Sequence, residues 1–200
     1  MYQSIKKSIT IFIFTYLILV AIFAIQKPLF MLFHYTTFSS ASFSDFLNVI
    51  YNGLPLDLSM AGYLTIIPGI TSIISLWLSS ANIIKTIFKF YFAIIALIIA
   101  TTMCLDMVLY GYWGFRLDMT PIFYFTTSPS AALASVPFYY FIIGIIAVII
   151  IALGIYWIFN KFIISYITCN NESKKARVRN SMILTVLVAL LFIPIRGGFT

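Results

Sequence analysis

The chain has 200 residues, 62% hydrophobic, 18% aromatic and only 8% charged, with a mean hydropathy of +1.08. An ordinary soluble domain is roughly 25% charged, so five acids and twelve bases exclude a soluble globular enzyme, and the apolar excess excludes a disordered chain. What remains is an integral membrane protein. One histidine and two cysteines leave little from which to build a His/Cys metal cluster.

Five uncharged or nearly uncharged runs predict spanning segments near 8–26, 52–78, 87–109, 138–159 and 180–195. A spanning helix needs about 20 mostly apolar residues. Backbone amides in hydrocarbon have no water to bond, so the spans are expected to be helices. Ile142-Ile143-Gly144-Ile145-Ile146 is apolar throughout and lacks the alternation of a barrel strand. The expected fold class is all-α: a polytopic membrane protein with five transmembrane helices and short interfacial helices in the outer loops. The fifth span is short and would need its flanking arginines to snorkel or the bilayer to thin.

The first segment begins with Lys6 and Lys7 and ends at Lys27-Pro28, which is expected to stop the helix. Its long apolar run and the spacing of Ala21 and Ala24 favour a retained anchor over a cleaved signal peptide. An aromatic loop to about Ser44 follows. Ser42-Phe43-Ser44-Asp45 then has capping-box spacing to start the next helix. Lone among these aromatics, His34 reads as an interfacial side chain rather than a metal ligand. Ser79 to Lys89 is expected to be a short turn.

A second long loop runs from Tyr110 to Pro137. Its first half holds Tyr110, Tyr112, Trp113, Phe115, Phe123, Tyr124 and Phe125, rings suited to the headgroup level. Ser128-Pro129 predicts a short interfacial helix over 129–136. Asn170 to Asn180 is hydrophilic and basic and reads as a solvated turn.

Lysines and arginines orient the chain. With the N-terminus cytoplasmic, nine bases lie inside and three, Lys27, Arg116 and Arg196, outside. An odd number of spans then puts the C-terminus outside. The net charge of +7 is thus a topology signal that also suits anionic lipids. It is spread over four segments, so nucleic acid is not an expected partner. Cys104 in the third span and Cys169 in an inside loop fall on opposite sides, and no disulfide is expected.

Charges within spans are costly and mark functional candidates. Asp57 and Asp106 both fall toward the outer half of their spans, and Arg116 and Asp118 follow in the outer loop. Three acids and one arginine are therefore expected to gather there, with Arg116 pairing Asp57, Asp106 or Asp118. A structural ion pair fixing the loop is preferred. The functional alternative is a site where Arg116 holds a lipid phosphate, and an ion path is a third reading. The chain shows no phosphate loop, G-x-S-x-G or H-E-x-x-H. Gly197-Gly198 reads as flexible linker, so no catalytic residue is assigned.

Four blocks carry a family resemblance: Gly53-Leu54-Pro55-Leu56-Asp57-Leu58-Ser59-Met60-Ala61-Gly62-Tyr63, Tyr112-Trp113-Gly114-Phe115-Arg116-Leu117-Asp118, Ser128-Pro129-Ser130-Ala131-Ala132-Leu133-Ala134 and Ile193-Pro194-Ile195-Arg196-Gly197-Gly198-Phe199. Together they resemble the N-terminal membrane domain of lipoteichoic acid synthase-like phosphoglycerol transferases, of the alkaline phosphatase and sulfatase superfamily. The resemblance covers essentially the whole chain through short blocks between generic spans. It implies a bacterial cytoplasmic membrane, with 197–200 starting a linker to an extracytoplasmic catalytic domain absent from these residues. That domain would bind a divalent metal, often manganese, and use a threonine to take phosphoglycerol from phosphatidylglycerol; Thr200 is not proposed as that nucleophile, and no cofactor is expected in the 200 residues themselves. A fragment is therefore favoured over a membrane domain acting alone, with membrane lipids and its own catalytic domain as expected partners. Arg116, Asp118, Tyr112 and Trp113 are the candidate contacts to lipid or to that domain. Alternatives are the membrane domain of a phosphoethanolamine transferase, a small transporter or channel using Asp57 and Asp106, and a structural partner subunit. The transporter lacks support from an inverted repeat or a broken-helix pair.

Overall fold

A computed structural model describes residues 2–78, 80–128, 138–168 and 173–197. The chain forms α1 (Tyr2–Phe33), α2 (Phe43–Ser75), α3 (Ala81–Trp113), α4 (Thr120–Thr127), α5 (Phe138–Phe162), a single 3-10 turn at Ile164–Tyr166, α6 (Lys174–Leu190) and α7 (Phe192–Ile195). Among the described residues there is no strand. Five helical segments are long and apolar enough to cross a membrane: Ile5–Phe33, Phe43–Ser75, Ala81–Gly111, Phe141–Tyr166 and Lys174–Ile195. The fold class is therefore a multi-pass, all-helical membrane protein.

The helix ends differ from the expected spans in a consistent way: the helices are longer. Lys27-Pro28 does not stop α1, which continues to Phe33. Proline removes one N–H and crowds the preceding turn. In a spanning helix that loss is tolerated, because no other backbone arrangement satisfies the remaining groups. Turns at His34–Phe38 and Phe38–Ala41 then reverse the chain. α2 begins at Phe43 rather than at 52. The Asp45 carboxylate accepts from the Ser42 amide at 2.7 Å and from its hydroxyl at 2.9 Å, which ties down the first turn as the capping spacing requires. The expected turn over 79–89 is mostly the start of α3. The basic stretch before 180 is likewise helical, with the Ser173 hydroxyl accepting from the Ala176 amide at 3.4 Å.

The chain divides into two compact units, Met1–Tyr91 with Ile158–Thr200, and Phe92–Trp157. In the first, α2 packs against α1, α6 and α7. The buried positions of α2 are mostly small or polar: Ala61, Gly62, Thr65, Gly69, Thr71 and Ser72, together with Pro68 and Asp57. Small residues let helix backbones approach, which is how helices associate where lipid is as apolar as their side chains. Direct bonds add to this packing. The Tyr16 hydroxyl donates to the Leu58 carbonyl at 3.2 Å, and the Ser59 hydroxyl donates to the Ile195 carbonyl at 3.0 Å. The Tyr91 hydroxyl donates to the Leu64 carbonyl at 2.5 Å. Leu64 is the residue whose carbonyl would bond the N–H of residue 68. Pro68 has none, so the phenol supplies the missing donor.

The second unit holds most of α3, then α4 and most of α5. α4 is an eight-residue helix within the aromatic loop, and sequence reasoning missed it. Its signals were present: Asp118 two residues ahead, and Pro121 in the first turn, where a missing N–H costs nothing. The short helix expected over 129–136 lies outside the described residues. α5 is apolar around its whole circumference. Only 6% of its most apolar window is buried within the protein, as expected of a helix facing lipid.

Candidate functional site

The second unit carries the candidate site at the end of α3. Asp106 sits two helical turns before the end of that helix and is almost fully buried, its side chain 6% exposed. Gly114 follows the last helical residue with φ +74 and donates its N–H to the Tyr110 carbonyl at 2.9 Å. That left-handed cap is the usual glycine stop of a helix. It turns the chain back, so that residues 116 and 117 return to α3. The Arg116 Nε lies 2.9 and 3.0 Å from the two Asp106 oxygens, and its Nη2 lies 2.6 Å from Oδ2. The Leu117 amide donates to the same carboxylate at 2.8 Å. A buried carboxylate thus gains both a planar guanidinium fork and a backbone donor, the arrangement that offsets its desolvation.

Arg116 is not buried with its partner. Its side chain is 53% exposed, so the pair has one sealed end and one open end. Around it the segment is aromatic. Trp113 stacks on Phe115 with ring centres 5.7 Å apart and planes within 19°. Met119, Ile122 and Phe123 are also exposed. Asp118 stands in this loop but does not join the ion pair. Its carboxylate accepts the Thr120 amide at 2.8 Å, and bonding to Thr120 holds it below the usual carboxylate range. Its work is local, starting α4. The Tyr112 side chain lies outside the described residues.

Asp57 belongs to the first unit and has a different base. Its carboxylate takes both short contacts from the Lys27 ammonium. The side chains are 7% and 17% exposed, and Lys27 also reaches the Phe23 carbonyl at 3.4 Å. The three acids do not share the one arginine: Asp57 is paired with Lys27, Asp106 is paired with Arg116, and Asp118 turns a loop. The reason is the length of α1. The proline after Lys27 predicts a loop there, whereas Lys27 lies in the helix and packs against α2. Gly53 makes room for it, since a Cβ there would stand 2.1 Å from Lys27 Cε. The usable signal was the spacing in Gly53-Leu54-Pro55-Leu56-Asp57, a gap one helical turn before an acid.

Other candidates resolve simply. His34 packs among rings, with Phe30 and Phe33 centred 4.9 and 5.1 Å away. Cys104 is a half-buried thiol, and Cys169 lies outside the described residues. Among the described residues no three His, Cys, Asp or Glu side chains come together as a metal site. Compared with known proteins, the chain matches no family model, no curated protein and no solved structure.

Proposed function

We propose that the chain is the membrane anchor and lipid-facing domain of a lipoteichoic acid synthase-like transferase. In this reading it works at the outer face of a bacterial cytoplasmic membrane, and the catalytic domain follows the last helix. The observation that supports it is the half-exposed Arg116 guanidinium, held from behind by buried Asp106 beside the stacked Trp113 and Phe115. A fixed cation among headgroup-level rings suits a phospholipid phosphate, because guanidinium and phosphate match as planar fork and paired oxygens. Tethering would keep an enzyme's site at a high effective concentration of lipid. The transporter reading loses ground, since Asp57 and Asp106 are each neutralised by a base rather than presented to a path.

The test uses the full chain in nanodiscs with phosphatidylglycerol and manganese. Lipid-dependent quenching of tryptophan by brominated chains should fall on Trp113→Leu substitution, and phosphatidylglycerol retention should fall several-fold in Arg116→Lys, which keeps the charge and loses the fork. No phosphoglycerol transfer is expected from these residues alone. Turnover by the purified chain, or a reporter after Thr200 that proves cytosolic, would falsify the anchor reading.

A further inference from the structure

The first unit contains a cavity far along the chain from either carboxylate pair. It lies where the start of α1, the end of α2, the start of α3 and the segment after α5 converge, and it has a volume of about 30 Å³ and is partly open. Its polar lining is Lys7, Ser8, Ser72, Ser75, Tyr166 and Thr168. That is one ammonium and five hydroxyls, with no carboxylate. The acids described in this unit are Asp45 and Asp57 on α2. At about 1.5 Å per residue, they stand roughly 40 and 22 Å along the helix from Ser72. Both exceed the Debye length of about 8 Å at physiological salt. Lys6, Lys85 and Lys89 flank lining residues in sequence, so the described charges nearest the cavity in sequence are all basic.

Two of the hydroxyls matter most. Ser72 is 3% exposed and Ser8 is 8% exposed, and both line the cavity. The Ser75 hydroxyl is committed to the Ser72 carbonyl at 2.7 Å. Lys7 gives one contact to the Thr168 hydroxyl at 3.4 Å, which steers the ammonium to this place and leaves two further donors. Buried hydroxyls are retained when something accepts from them. Room for small polar atoms, a lysine, converging hydroxyls and no carboxylate among the described lining residues select an oxyanion. We propose that this cavity binds a phosphate group at the basic end of the first unit, as carried by the headgroup of an anionic phospholipid. The volume takes about two water positions, which matches the two non-bridging oxygens of a phosphodiester and leaves the rest of a headgroup outside the cavity. Basic pockets among spanning helices are a physical route to lipid selection, because the charge works in a partly dry site.

The experiment titrates the full, detergent-solubilised chain with phosphatidylglycerol and with phosphatidylcholine and reads bound lipid by native mass spectrometry. Phosphatidylglycerol should be retained preferentially. Lys7→Gln should lower its retention about tenfold, the loss of one charge-assisted contact. Ser8→Ala and Ser72→Ala, which remove only a hydroxyl from a helix, should each lower it several-fold without moving the unfolding midpoint. Lys85→Gln, a neighbouring cation outside the cavity, should change it little. In a second arm inorganic phosphate replaces lipid. Saturable binding that is lost in Lys7→Gln and Ser72→Ala keeps the phosphate site and names the free anion as its occupant. Equal retention by wild type and both serine variants overturns the proposal. So does an equal loss in Lys85→Gln, since the attraction would then belong to surface charge at large.

Discussion

Each unit of this protein buries one aspartate in a spanning helix and gives it one base, and the two solutions are opposites. Asp57 and Lys27 are 30 residues apart and join two helices. Both ends are nearly sealed, and a missing side chain at Gly53 makes the space. Asp106 and Arg116 are ten residues apart, and the base arrives on a return loop that Gly114 makes possible. Here the acid is sealed and the base is half open. The first pair is a fastener: both charges are consumed in holding α1 to α2, and little of either is exposed. The second both holds and presents. Burial of the acid fixes the loop, while the exposed guanidinium faces the surroundings. Charge within a span is thus no guide to function by itself; the exposure of its partner separates a structural role from an available one.

The contrast can be broken most forcefully at the sealed pair. Lys27→Met leaves Asp57 without its cation in a dry site and should cost about 3–5 kcal/mol. The double variant Lys27→Met with Asp57→Leu should recover most of that loss, and a double-mutant cycle of detergent unfolding measures it. Additive losses would show that the charges are not coupled. At the half-open pair Arg116→Gln should cost less, about 1–2 kcal/mol, since water reaches the guanidinium and screens its share. Its clearer sign should be loosening of the 113–118 segment in hydrogen exchange at the Leu117 amide. A stability loss matching that of Lys27→Met would erase the distinction drawn between the two.

The smallest effect belongs to the third acid. Asp118 has its folded pKa lowered by bonding to Thr120. A lowered carboxylate contributes stability above its unfolded pKa and loses it as pH falls through the folded value. Acidification below the ordinary carboxylate range should therefore fray the start of α4, seen as faster exchange at the Thr120 amide. Asp118→Asn should remove most of that pH response, as the amide oxygen still accepts but does not titrate.

Much of the fold was legible because hydrocarbon leaves the backbone few choices. Continuous apolar runs such as 142–153 must be helices if they cross, so the count of spans could be read without any packing information. The ends could not be read in the same way. Lys27-Pro28 carries the local signature of a stop, and only the distant Asp57 explains why a lysine continues into the helix. α4 was hidden for the opposite reason: its cues were local, at Asp118 and Pro121, but the aromatic composition around them drew the reading toward a loop. Within the candidate site, Asp106 and Arg116 were visible as charges out of place. Their pairing required the glycine turn at 114, whose geometry composition does not announce.

One smaller contact has a mechanical consequence. A proline inside a spanning helix ordinarily leaves a soft joint, because a carbonyl one turn earlier has lost its bond. At Pro68 that carbonyl is held by the hydroxyl of Tyr91 on α3. The joint is splinted from the side, so bending α2 at this point requires a neighbouring helix to let go first. Flexing of α2 at that proline is thereby coupled to the first turns of α3, up to Tyr91.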